Sequence, residues 1–377
     1  MLAQEVFTLG SSFSQEYWRK LDDASEYPWD YVKAFAEKGW LGVMIPEEYG
    51  GSGLGVTEAG IVLHGICLAG AGTSGASAIH FYMFPPEPVV KYGSEEMKRK
   101  YLPRIAAGEL LMAFGVTEPN AGLDTSRIQT TATRHGDTWV VNGQKVWTTN
   151  AQNAQRILLL ARTSPRDDAR PLDGMTLFFT DLDRRACTVR RIEKLGRAAV
   201  DSNEVFIENL EVPDEDVVGE VGKGFRYLLD GLNPERIVIA YEAIGMGRWA
   251  LNTAAKYATQ RVVFGRPIGA NQAIAHPLAR EWCELEAAEL LTLKAAWLYD
   301  NGRPCGKEAN AAKYLGGEAG FRACDAALQA HGGMGYSKEF NVERIWREAR
   351  LFRIAPVSNE MCLNFIAERA LGLPKSY

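Results

Sequence analysis

The sequence predicts an α+β protein in three consecutive zones: an N-terminal helical domain (1–113), a middle β-barrel or sandwich domain (114–220) and a C-terminal four-helix bundle (221–377). Three observations predict it. Apolar residues recur with a helical period at first, then with a strand period, then again with a helical one. The helical segments of the last zone are long and joined by short connections, as in bundles. Strands do not alternate with helices, which argues against a Rossmann-type nucleotide fold.

In the first zone, YVKAFAEKGW is amphipathic and stops at a glycine, and SEEMKRKYLPRIAAGE opens on Ser94 as N-cap with Glu96 and Arg99 on an exposed face. In the second, DTWVVNGQKVWTTN places Asn142-Gly143 between two β-rich runs, which predicts a hairpin turn there. RILLLAR, GMTLFFTD and NEVFIENLEVP read as further strands. Segments 234–260, 277–300 and 307–330 read as the bundle helices.

Composition bounds the function. The chain has 377 residues, 46% hydrophobic and 24% charged, with a net charge of −5. That suits a large core, and the scattered basic residues leave no nucleic-acid footprint. No apolar run approaches the ~18–20 residues of a membrane span, and the N-terminus has neither a signal-peptide core nor an Arg-rich transit pattern. The six cysteines form no CxxC pair, so disulfides and zinc are not expected. A cytoplasmic protein without metal is the expectation. The five histidines, His80 among them, are scattered and read as ordinary structural residues, and Asp201 and Glu204 read as solvated turn residues.

Five segments offer chemistry, each with a plain structural alternative. FGVTEPNAGLDTSRIQT (114–130) is a ligand loop or a domain link. VWTTN (146–150) sets a Trp beside hydroxyls, which suits a flat polar-edged ligand or a helix packed on a sheet. RVVFGRPIGANQ (261–272) holds a phosphate with an Arg near open backbone, or simply ends a helix. QAHGGMGYSKEFNVERIWREAR (329–350) permits close backbone approach at its glycines, which also end a helix. In NPERIVIAYEAIG (233–245), Asn233 reads as N-cap, Pro234 as first helical residue, and Glu235 as a first-turn acid worth about 0.3–1 kcal/mol against the helix dipole. Arg236 has its charge at the wrong end of that dipole. Phe81, Tyr82, Met83 and Tyr241 read equally as tail-pocket lining and as core.

VTEP-x-AG-x-D, W-x-TN, RxxFG…Q and QxxGGxGY, taken in this order and at these distances, resemble the acyl-CoA dehydrogenase family over essentially the whole chain. The resemblance implies a FAD-dependent oxidoreductase that converts an acyl-CoA to its trans-2-enoyl-CoA and passes electrons to an electron-transferring flavoprotein, in fatty acid or amino acid catabolism. It implies that Phe114, Val116, Thr117, Leu123, Trp147, Thr148 and Thr149 contact the cofactor, with Thr149 near its reactive nitrogen. Arg261, Phe264, Gln272, Gln329, Gly332 and Gly333 would reach it from a neighbouring subunit, and Ser358 from the last loop. A homodimer or homotetramer follows.

Two departures qualify the resemblance. Leu123 stands where the family usually has Ser or Thr, so a hydroxyl contact is replaced at most by the Leu123 amide. In the last loop, IAPVSNEMC matches a segment whose usual catalytic Glu falls at Pro356 and whose Gly falls at Val357. A branch that includes isovaleryl- and long-chain-type enzymes carries its Glu at the start of a bundle helix, directly before an Arg. In this chain that position is Glu235, with Asn233 beside it as a substrate contact and Arg236 either meeting the substrate or holding the orientation of Glu235. Removing a weakly acidic thioester α-proton needs a placed base and a polarised carbonyl oxygen. The apolar run after Glu235 is expected to desolvate that base and raise its pKa. Pro356 has no N–H to polarise the carbonyl, which leaves the Val357 N–H or a shifted loop to replace it. Two alternatives stay open: other chemistry on the same scaffold (an acyl-CoA oxidase or desulfinase), or a non-catalytic FAD- or acyl-CoA-binding subunit.

Overall fold

The periodicities resolve into elements much as read in a computed structural model, which describes residues 1–375. Seven helices come first: α1 (Leu2–Ser11), α2 (Gln15–Ala24), α3 (Trp29–Ala36), α4 (Val56–Leu68), α5 (Gly72–His80), α6 (Glu87–Tyr92) and α7 (Glu95–Ala106). Ser94 caps α7 by accepting the Met97 N–H at 3.1 Å, as expected. α5 is built from small residues (GTSGASAIH) and is buried along its whole length.

The middle zone is one eight-stranded sheet: β1 (Met112–Gly115), β2 (Thr131–His135), β3 (Thr138–Thr149), β4 (Arg156–Arg162), β5 (Met175–Asp181), β6 (Cys187–Arg191), β7 (Ser202–Pro213) and β8 (Val217–Val218). The order is β6-β7-β3-β2-β4-β5-β8, with β1 parallel to β4. The predicted Asn142-Gly143 turn is corrected here. Both residues lie inside β3, at a register shift against β7 between Val141 and Gly143. The chain reverses earlier, at Gly136-Asp137, where Gly136 has φ 66°. Gly143 is needed for a different reason: a Cβ there would meet Thr130 Oγ1 at 2.4 Å. Asn142 pairs with Asn209 of β7, accepting its backbone N–H at 2.8 Å and donating to its side chain at 3.2 Å.

The C-terminal zone holds α8 (Gly224–Asp230), α9 (Leu232–Gln260), a two-stranded ribbon of β9 (Val262–Val263) and β10 (Arg266–Pro267), α10 (Gln272–Asp300), α11 (Gly306–His331), α12 (Val342–Ala349) and α13 (Asn359–Arg369). α9 is the axis of the molecule, packed on α10, α11 and α4. It lies close to α4 because two crossing points are glycines. A Cβ on Gly60 would strike the Tyr241 ring at 2.2 Å, and one on Gly245 the His64 carbonyl oxygen at 2.5 Å. The start of α9 is a second correction: the N-cap is Gly231, without a side-chain cap, and Asn233 and Pro234 already lie within the helix. With α8 ending at Asp230, helical geometry arrives two residues before the expected cap. The Asn233 side chain instead accepts from Arg236 Nη1 at 3.2 Å.

Candidate active site at the head of α9

Glu235 is 6% exposed. It shares a cleft with Met44, Met83, Phe84, Pro234, Val238, Glu87 and His80. Apolar surroundings were expected from the residues that follow Glu235, but its carboxylate is not alone in them. Oε2 lies 2.7 Å from His80 Nε2, and the other ring nitrogen, Nδ1, lies 2.8 Å from Glu242 Oε1. Glu235 and Glu242 are seven residues apart, two helical turns, and so share one face of α9. Burial disfavours the charged His80 ring, yet the two carboxylates outweigh it and raise its pKa to about 10. Burial pushes the Glu242 carboxyl up, against the pull of His80. His80 is therefore no ordinary structural histidine.

Two routes join this cluster to the sheet. The His80 ring stands 6.0 Å from Phe84, which stands 5.4 Å from Phe114 at the end of β1. On the other side Ser77, one turn before His80, accepts from Arg197 at 3.1 Å. The same guanidinium donates to Ser202 Oγ at 3.0 Å and Thr149 Oγ1 at 3.4 Å. The loop 114–130 is stapled to β3 by a buried ion pair. Lys145 Nζ donates to Glu118 Oε1 at 2.7 Å and to the Val116 carbonyl at 3.2 Å, and the Val146 N–H donates to the Thr117 carbonyl at 2.9 Å. Burial lowers Lys145 to about 8, whereas Lys145 and backbone donors hold Glu118 below the usual carboxylate range despite its own burial.

Trp147 stands at a second register shift between β3 and β7, with φ 59°. The bulge turns a large aromatic out of the ladder, 56% exposed. Beside it, Thr148 Oγ1 and Arg197 Nε are buried with no hydrogen-bond partner among the described residues. An outward aromatic next to unused donors fits a flat ring with polar edges, and so fits a flavin. Leu123 lies in the 114–130 loop, 66% exposed.

Contacts link Phe114 to Glu235 through Phe84 and His80, and Thr149 to Ser77 of α5 through Arg197. Val116 and Thr117 are joined to β3, the strand that carries Trp147, Thr148 and Thr149. Arg261, Phe264, Gln272, Gln329, Gly332 and Gly333 stand apart and exposed at the far end of α9, where His331 stacks on Tyr257 at 4.3 Å. From Glu235 to Gln260 is 25 residues, roughly 38 Å of helix at ~1.5 Å per residue. Phe264 tips the ribbon turn with φ 51° and is fully exposed. Arg236 and Asn233 do not line the cleft. The Arg236 charge is turned toward Cys362 and Cys305, and burial lowers its pKa. Ser358 caps α13, accepting the Met361 N–H at 3.3 Å. Met83 lines the cleft, whereas Tyr82 and Tyr241 are core residues. Asp201, expected in solvent, is buried and accepts the Gln152 N–H at 3.1 Å.

His80, Glu242 and Arg197 were missed by sequence reasoning. One signal was available. A second Glu in the apolar run IVIAYEAIGMG must be buried, and a buried carboxylate demands a partner.

Profiles of the acyl-CoA dehydrogenase N-terminal, middle and C-terminal domains match residues 1–109, 113–210 and 222–371. Acyl-CoA dehydrogenase FadE12 of Mycobacterium tuberculosis is 38% identical over 382 aligned positions, spanning 100% of this chain and 96% of the relative. CarC, a subunit of the caffeyl-CoA reductase-Etf complex of Acetobacterium woodii, is 35% identical over 89% of this chain and 88% of its own. Among solved structures, a glutaryl-coenzyme A dehydrogenase in complex with glutaryl-CoA superposes with a TM-score of 0.94 at 33% identity, covering 100% of this chain and 95% of that one.

Proposed function

The chain belongs to the acyl-CoA dehydrogenase family of FAD-dependent oxidoreductases, and on that premise we propose that it dehydrogenates an acyl-CoA with Glu235 as the base. The observation that carries this reading is the state of the Glu235 carboxylate. It lies in a largely apolar cleft, Oε2 is engaged, and Oε1 has no hydrogen-bond partner among the described residues. Met44, Met83, Phe84, Pro234 and Val238 receive the first carbons of the acyl chain and keep water from the carboxylate. Oε1 takes the proton from the α-carbon. The α-C–H electron pair stays on the substrate and becomes the new double bond as the β-hydride leaves. FAD, when bound, accepts that hydride.

Phe114, Val116, Thr117, Leu123, Trp147, Thr148 and Thr149 hold the flavin ring in this reading, with Ser358 nearby. Arg261, Phe264, Gln272, Gln329, Gly332 and Gly333 serve the cofactor of a second copy. Their distance along α9 supports this, since one chain does not bring both sets together. A homodimer or homotetramer follows, and exposed Trp282, Leu290, Leu293 and Trp297 on α10 offer it an apolar face. Pro356 has no N–H for the thioester oxygen, and the Val357 N–H, which donates to no group among the described residues, takes that part. Arg236 and Asn233 support the head of α9 from the opposite side. An electron-transferring flavoprotein takes the electrons onward, a reading supported by the Etf complex of the CarC relative. The chain acts in the cytoplasm, in fatty acid or amino acid catabolism.

Anaerobic bleaching of the flavin band with butyryl-, isovaleryl-, octanoyl-, glutaryl- and phenylpropionyl-CoA tests the proposal. One class is expected to bleach the wild-type protein. Glu235→Gln is expected to bind FAD and bleach on the order of 10³-fold more slowly, within the usual range for a lost general base. Undiminished bleaching by Glu235→Gln removes it as the base.

A further inference from the structure

Ionised carboxylates only accept hydrogen bonds, so an imidazole between two of them donates from both nitrogens and carries a positive charge. His80 is in that situation, 4% exposed, at the end of a wholly buried helix. Its neighbours make the charge count unusual. Glu235 and Glu242 face it from α9, and Glu87 of α6 lines the same cleft. Arg197 reaches Ser77 on its own helix, and Arg344 with Glu348 on α12 sit at the opposite end of α5. His64 on α4 is pushed down by burial, and Asp30 and Lys33 of α3 are exposed. One imidazolium is thus shared by two carboxylates, of which only Glu235 meets the cleft.

We propose that His80 is a positioning residue for the reaction: clamped by Glu242 on Nδ1, it fixes Glu235 through Oε2 and leaves Oε1 as the one oxygen free to take a proton. The proposal rests on Glu235 being the base. It also gives Glu242 a task. When Glu235 takes the α-proton it becomes a neutral acid, and a cation with no other partner would then be stranded in the interior, at a large cost. Glu242 keeps His80 paired throughout, so His80 retains its proton and the Nε2–H continues to donate to Oε2. The base is held in one orientation before and after transfer. Glu235→Gln mimics the neutral state and should leave the His80–Glu242 pair intact.

The test is single-turnover flavin bleaching by the same five acyl-CoAs in FAD-loaded wild type, Glu235→Gln, His80→Gln, His80→Ala and Glu242→Gln. A base released from its clamp loses alignment, so His80→Gln is expected to slow bleaching about 10- to 100-fold. Substrate Kd should change less than about 3-fold, because Met44, Met83, Phe84, Pro234 and Val238, which receive the acyl chain, are untouched. Free imidazole is expected to restore part of the rate to His80→Ala and none to His80→Gln. If the His80 variants fail to fold or to hold FAD, Glu242→Gln carries the test: it leaves the ring in place and is expected to slow bleaching while binding persists. Wild-type rate constants in both His80→Gln and Glu242→Gln, with Glu235→Gln inactive, overturn the clamp and leave the base standing. An active Glu235→Gln, or no bleaching of wild type by any of the five, removes the premise and the clamp with it.

Discussion

Helix α5 meets a buried carboxylate at each of its ends, and the two are satisfied very differently. At its start, Glu348 accepts two donors on each oxygen: Ser74 Oγ at 2.8 Å and Arg344 Nη1 at 3.1 Å on Oε1, and Thr73 Oγ1 at 3.0 Å and the Ser74 N–H at 3.2 Å on Oε2. Arg344 is itself tied to the Gly70 carbonyl at 2.7 Å and to Gln15. At its end, the Glu235 carboxylate, which lines a cleft, accepts one donor on one oxygen and none on the other among the described residues. Both are buried and both have a cation within reach, so burial and charge pairing do not tell them apart. The unsaturated oxygen does. A carboxylate whose acceptor positions are all filled has no capacity left for a proton, whereas one left half-filled in an apolar cleft is poised to take one.

The comparison breaks most sharply if the two glutamates are exchanged for glutamine. Glu348→Gln leaves Arg344 buried without its counter-charge, and breaking such a pair costs about 3 kcal/mol or more. The expected result is a clear fall in melting temperature, with bleaching per FAD-loaded molecule retained. Glu235→Gln should do the reverse, keeping the melting temperature within a few degrees while bleaching collapses. Loss of activity in Glu348→Gln molecules that still fold and bind FAD would erase the distinction.

pH sharpens it. His80 has its pKa raised from an ordinary 6.5 to about 10, so its contribution to stability is complete below pH 6.5 and is lost as pH climbs toward 10. Lys145, lowered to about 8 by burial, acts oppositely, since its charged form is disfavoured in the fold and stability is recovered between pH 8 and about 10.5. Lys313, lowered to about 8, and Lys194, lowered to about 7, work in the same sense as Lys145. The total curve therefore mixes signs, and the difference between wild type and His80→Gln isolates the histidine. That difference is expected to shrink by a few kcal/mol from pH 6.5 to 10 in chemical denaturation, an order-of-magnitude figure from ~1.4 kcal/mol per pKa unit. A difference that stays flat over this window means the ring is not held as a cation.

What was legible follows from range. The zone order, the long helices, the Ser94 cap and most strands depend on residues a few positions apart, where period and capping speak directly. Asn142-Gly143 was misread because a local turn signature was serving a tertiary need, the approach of Thr130, while Gly136-Asp137 made the turn. Glu235 was legible only through the family resemblance. Its partner was not, for His80 lies 155 residues from Glu235 and 162 from Glu242, and no period links them. Arg197 escaped for the same reason, since Ser77 is 120 residues away. The six exposed residues at the far end of α9 were legible as motifs, yet only the structure separates them from Glu235 by the length of a helix.

The smallest effect distinguishes redundancy from necessity. Thr73→Val removes one of four donors from Glu348 and keeps the shape of the side chain, so the carboxylate retains Ser74 and Arg344. A single hydrogen bond to a charged group contributes about 1.5–3 kcal/mol when nothing replaces it, and neutral ones nearer 1. With three donors remaining, a loss near 1 kcal/mol is expected, visible as a shift in denaturation midpoint at unchanged slope. The bleaching rate should not move. The Glu235 carboxylate has no such reserve, because among the described residues one nitrogen supplies its hydrogen bond. If Thr73→Val proves as damaging to bleaching as His80→Gln, the two ends of α5 act as one unit, and reading saturation as structure and vacancy as chemistry fails for this fold.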